Sequence, residues 1–105
     1  MRYSEIGNTG IKISSIAMGG HEYLPDGRSR GFNEDMKLAT TPGYIFPDFG
    51  GEPRKAVLRM ALEHGVNFFD VTQDSEKEAL GRNLQEIDLP YEIYIQTRPE
   101  MPPPV

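Results

Sequence analysis

The sequence contains no cysteine in its 105 residues, which excludes disulfides, thiolate zinc sites and iron–sulfur clusters from them. Lack of cysteine also suits a cytoplasmic protein. No apolar run is long enough to cross a bilayer, so no membrane partner is expected. Met1 to Gly10 mixes charged and polar residues without an apolar h-region, and so does not read as a secretory signal. Basic charge is thin and scattered. Arg2, Lys12, Arg28, Arg30, Arg54 and Lys55 form no stripe, and the net charge is -5. That balance argues against nucleic acid as a partner. The two histidines, His21 and His64, are too few and too isolated for a metal site, so none is expected. His64 is better explained as a helix C-terminal residue near the dipole.

What is present points to one small α/β domain with many loops. The apolar share is 37%, enough for a modest core, and nine prolines and eleven glycines argue against a helical bundle. Residues 1–14 alternate on either side of Gly7-Asn8-Thr9-Gly10 and predict a β-hairpin. Ser15 to Met18 predicts a short strand ended by Gly19-Gly20. Residues 21–51 lose all periodicity, yet Tyr23, Phe32, Tyr44, Phe46 and Phe49 give the segment apolar surface to bury. Pro53 suits the first turn of a helix over 53–64, with Val57, Leu58, Ala61 and Leu62 on one face and Gly65 as its left-handed stop. Val66 to Asp70 predicts a buried parallel strand. Ser75 with Glu78 fits a capping box for a helix over 75–86, whose stripe is Leu80, Leu84 and Ile87. A third strand is expected at 93–97, then an extended tail with four prolines. Strands alternating with helices argue for a parallel sheet.

Four segments in order resemble the N-terminal part of the aldo-keto reductase family. Met1-Arg2-Tyr3 with Ile6-Gly7-Asn8-Thr9-Gly10-Ile11-Lys12-Ile13-Ser14 is similar to the family's hairpin. Ala61-Leu62-Glu63-His64-Gly65-Val66-Asn67-Phe68-Phe69-Asp70 resembles its first helix running into the second barrel strand. Ser75-Glu76 with Leu80-Gly81 resembles the start of the second helix, and Ile95-Gln96-Thr97-Arg98 the end of the third strand. The resemblance implies a partial (β/α)₈ TIM barrel with an N-terminal hairpin and about three of the eight parallel strands. It implies an NADP-linked oxidoreductase acting on a small carbonyl or alcohol substrate.

The resemblance also implies where chemistry should sit. Asp70 matches the family's aspartate, and Arg98 stands where the family has lysine. The family's tyrosine is absent from Val71-Thr72-Gln73-Asp74-Ser75, and its histidine would lie on a later strand. The tyrosine protonates a developing alkoxide and needs a cation to lower its pKa. An arginine keeps a cation but is no innocent replacement for an ammonium. The chain alone is therefore expected to be inactive, as a fragment or divergent member. The alternative is a catalytically dead relative that binds a ligand or protein. Asp74 and Glu76 lie nearby and could in principle act as acids, although as exposed carboxylates near a helix N-terminus they are expected to favour the charged form.

Each candidate has a structural rival. Asp70 and Arg98 read either as a catalytic-site pair or as a strand-end clamp. Gly19 and Gly20, with Asp70, are the candidate cofactor-binding residues, although ordinary loop entry also explains the glycines. The 21–51 loop reads either as a lid over the strand ends or as a flap packed by its own side chains. Unpaired sheet edges are expected to invite self-association.

Overall fold

The Gly/Asn-rich turn folds the first residues back on themselves in the computed structural model, which describes residues 1–31 and 33–98. Strand β1 (Tyr3–Glu5) pairs antiparallel with β2 (Lys12–Ser14), with Tyr3 opposite Ser14 and Glu5 opposite Lys12. The expected hairpin is present. The next strand, β3 (Met18–Gly19), is shorter and later than the expected 15–18. Its first residues are used elsewhere: Ser15 N–H donates to Arg2 O at 2.7 Å, and Ile16 O accepts from the Ser14 hydroxyl at 2.7 Å.

Residues 21–51 are organised around a short helix, α1 (Met36–Ala39), which the sequence pattern does not announce. Asp35 caps it by accepting from Leu38 N–H at 3.1 Å. Ala39, Phe46 and Phe49 bury themselves against Ala79 of a later helix, with Leu38 and Tyr44 at the margin. Arg30 braces this cluster, pairing with Glu34 and with Asp48 at 2.8 Å while lying 4.7 Å from the centroid of the Phe49 ring. Phe32 and the proline-rich tail lie outside the described residues.

Helix α2 (Glu52–Glu63) begins with Pro53 in its first turn, and Gly65 at φ +87° follows its end as anticipated. Leu58 and Leu62 are buried, but Val57 is 50% exposed and leaves the predicted stripe. Strand β4 (Phe68–Val71), helix α3 (Asp74–Glu86) and strand β5 (Tyr94–Thr97) complete the order. The N-cap of α3 is Gln73, not Ser75, and the carboxylate reaching back to the cap N–H is Glu76, not Glu78. Ser75 is instead consumed by the loop: its hydroxyl accepts from Phe46 N–H at 2.8 Å and donates to Tyr44 O at 3.1 Å.

Strands β3, β4 and β5 pair in parallel in that order, with Gly19 beside Asp70 and Asp70 beside Gln96. Phe69 and Val71, alternate residues on one face of β4, share a core with Leu58 and Leu62 of α2 and Leu80 of α3. Both crossover helices therefore cover the same face. The other face carries Phe68, Asp70, Tyr94 and Gln96 by the same alternation. The described residues form this open sheet and the hairpin, and close no barrel.

The hairpin is fastened to the N-terminal end of the sheet by Asn67, which is 8% exposed. Its Oδ1 accepts from Ser14 N–H at 2.7 Å, and its Nδ2 donates to Lys12 O at 2.9 Å. Its own carbonyl accepts from Tyr94 N–H at 2.8 Å, joining β4 to β5. The Tyr3 hydroxyl donates to Gly65 O, and the Tyr91 hydroxyl lies 2.6 Å from Leu62 O and 2.9 Å from Val66 O. No helix among the described residues is long and apolar enough to cross a membrane.

Candidate functional site

Parallel strands place all their C-terminal ends on one edge, and the helices that follow begin there. At this edge the chain leaves β3 through Gly20-His21-Glu22, leaves β4 through Thr72-Gln73, and leaves β5 at Arg98. Arg54 reaches the edge from the first turn of α2, and Glu76 from the first turn of α3.

Glu76 is the centre of this arrangement. Its side chain is 2% exposed, and a buried carboxylate must be hydrogen-bonded to be tolerated. Oε1 accepts from Thr72 N–H at 3.2 Å, Gln73 N–H at 3.4 Å and the Thr72 hydroxyl at 3.5 Å. Oε2 meets Nδ1 of His21 at 2.6 Å, across 55 positions of sequence. The imidazole itself is half exposed, and its Nε2 has no hydrogen-bond partner among the described residues.

The backbone around His21 is held on both sides. Arg54 donates to Gly19 O at 2.6 Å and to His21 O at 3.2 Å. Between them, Gly20 has no room for a side chain: a Cβ there would lie 2.6 Å from Val71 Cγ1 and 3.0 Å from Glu76 Oε1. Burial pushes the Arg54 guanidinium below its ordinary pKa, opposed by the negative charges of Glu22 and Glu76. Burial also pushes the Glu22 carboxyl up, partly offset by the Gly50 N–H that it accepts at 2.7 Å and by Arg54 and Arg30. A cleft of about 190 Å³ opens beside this group, lined by His21, Glu22, Tyr23, Pro53, Arg54 and Val57.

The residues singled out from the sequence are placed differently. Gly19 lies at the end of β3 with open space where a Cβ would be, whereas Gly20 is buried and its space is filled. Asp70 is half-buried on the uncovered face, with no hydrogen bond or ion pair from its side chain among the described residues. Arg98 is exposed, and its carbonyl accepts from Lys77 Nζ at 2.8 Å. Asp70 and Arg98 share an edge but do not pair. Arg98 lies two residues beyond Gln96, the register partner of Asp70, which is roughly 6.6 Å along the strand.

His21, Glu22 and Arg54 were missed as site residues, and Glu76 was expected to be exposed. The available signals were local: a histidine directly after Gly-Gly at a strand end, and a carboxylate three residues past a helix N-cap. No group of His, Asp and Glu among the described residues could hold a metal. No protein-family model, no curated protein and no solved structure matches this chain.

Proposed function

We propose that this chain is the opening portion of a singly wound α/β barrel of aldo-keto reductase type, whose chemistry sits at the C-terminal edge of the strands. The supporting observation is the sequential order β3-β4-β5 with both crossover helices on one face. Doubly wound sheets reverse direction and place helices on both faces. Continued the same way, this sheet curls into a barrel with Phe68, Asp70, Tyr94 and Gln96 lining its interior and the hairpin at its N-terminal end.

On this reading the complete protein is an NADP-linked oxidoreductase for a small carbonyl or alcohol, in keeping with a cytoplasmic location. The open side of Gly19 is where a nicotinamide ring has room to approach backbone. Gly20 is not, because Val71 and Glu76 fill its space. The 105 residues alone carry no carbonyl reductase activity. Two of the five tyrosine hydroxyls, those of Tyr3 and Tyr91, are committed to backbone carbonyls at the opposite end of the sheet.

The test is NADPH absorbance with a panel of small aldehydes. No consumption above the protein-free control is expected. A steady fall abolished by Asp70→Asn contradicts the inactivity of these 105 residues alone and restores Asp70 as a catalytic residue. The second reading, a relative that binds without turnover, draws on the lack of any partner for Asp70 among the described residues. Saturable NADPH binding without oxidation, by the same chain, favours it.

A further inference from the structure

We propose that His21 and Glu76 form a hydrogen-bonded dyad, in which Nε2 of His21 accepts a hydrogen bond from the hydroxyl of a small neutral alcohol seated in the adjoining cleft. The inference rests on the reading that chemistry occupies the C-terminal strand edge, and it needs neither barrel closure nor a cofactor.

Helix capping does not account for the contact. The part of Glu76 in the cap of α3 is Oε1, which takes the N–H groups of Thr72 and Gln73. Oε2 is left for the imidazole, at the shortest distance of the group, 2.6 Å. A carboxylate on Nδ1 fixes the tautomer with hydrogen on that nitrogen and leaves Nε2 as an acceptor.

The dyad is positioned rather than loosely hung. Arg54 binds the carbonyls on either side of Gly20, and Glu76 and Val71 close the space above it. A hydrogen-bond acceptor confers specificity when its support holds it in place in this way. The cleft beside it has the volume of roughly six water molecules at about 30 Å³ each, so it takes only a small compound. Pro53 and Val57 form an apolar wall, and the polar groups are His21, Glu22, Tyr23 and Arg54. Two carboxylates, Glu22 and Glu76, face one guanidinium already bound to backbone, which selects against an anion. In the bound state the ligand O–H donates a hydrogen bond to Nε2, and no covalent bond breaks. Glu76 acts through His21 and is a positioning residue.

The ¹⁵N spectrum of the two imidazoles tests this, with His64→Asn identifying the His21 signals. We expect His21 with hydrogen on Nδ1 at mildly alkaline pH, and a shift to the Nε2–H tautomer in Glu76→Gln, whose side-chain oxygen still caps the helix and whose amide N–H then faces Nδ1. An Nε2–H tautomer in the wild type, or a tautomer indifferent to Glu76→Gln, overturns the dyad. The ligand arm uses 1,2-propanediol. Saturable shifts at the His21 ring and Val57 methyls are expected, about tenfold weaker in His21→Asn, which leaves the cap of α3 untouched. Absence of saturable shifts while the fold is intact overturns the alcohol assignment. NADPH oxidation bears on the barrel reading alone, so the two can fail separately.

Discussion

The two ends of the parallel sheet are built from different chemistry. At the N-terminal end, Asn67, Tyr3 and Tyr91 are neutral side chains that tie hairpin, helix and strands together through backbone groups. At the C-terminal end, His21, Glu22, Arg54, Asp70, Glu76 and Arg98 are ionisable. Neutral hydrogen bonds between buried groups hold a fold at modest desolvation cost. Ionisable groups brought partly out of water at a strand edge are costly to assemble. One end secures the sheet, and the other carries the groups on which the proposed site rests.

The largest break in this comparison is Asn67→Ala. It removes both side-chain bonds to the hairpin and leaves buried Ser14 without its acceptor. A loss of about 2–4 kcal/mol in urea unfolding is expected.

Smaller and opposite in sign is Glu22→Gln. The folded pKa of Glu22 is raised above its ordinary 4.5 by burial, so the native state binds the proton more tightly than the unfolded state. Stability contributed by this group therefore falls as pH rises from 4.5 through the folded value. Glutamine keeps an acceptor for Gly50 N–H without the charge. The variant should melt slightly higher than wild type at about pH 7 and lose that advantage at about pH 4, an effect well under about 1 kcal/mol given solvent screening. A lower melting temperature at neutral pH would show that attraction to Arg54 and Arg30 outweighs burial.

Smallest of all is Asp70→Asn. Expected from the sequence as half of a clamp, Asp70 has no partner among the described residues, so the variant's unfolding free energy should stay within about 0.5 kcal/mol of wild type. Asp70→Asn and Arg98→Lys should be additive. A coupling energy beyond about 1 kcal/mol would restore the clamp.

The same division explains what was legible in the sequence. The N-terminal end is local: the hairpin turn, the Gly65 stop and the β-prone runs at 66–70 and 93–97 each declare themselves within a few residues. Strand and helix bounds shift by a few residues where residues serve distant partners, as Ser15 does in donating its N–H and its hydroxyl to Arg2 O. Ser75 reads as a cap by spacing, but its hydroxyl is worth more to the loop backbone at Tyr44 and Phe46. The C-terminal edge is non-local. His21 and Glu76 meet across 55 positions, and no local pattern ties a histidine after β3 to a carboxylate in α3. The resemblance pointed to Asp70 and Arg98, and what the fold joins at that edge is His21, Glu76 and Arg54.

The most direct test of this division is urea unfolding of Asn67→Ala beside His21→Asn. The account predicts a loss of about 2–4 kcal/mol for Asn67→Ala and under about 1 kcal/mol for His21→Asn, because Glu76 keeps its backbone donors when the imidazole is gone. Equal losses, or a larger one for His21→Asn, would make the C-terminal edge a structural clasp and contradict the account.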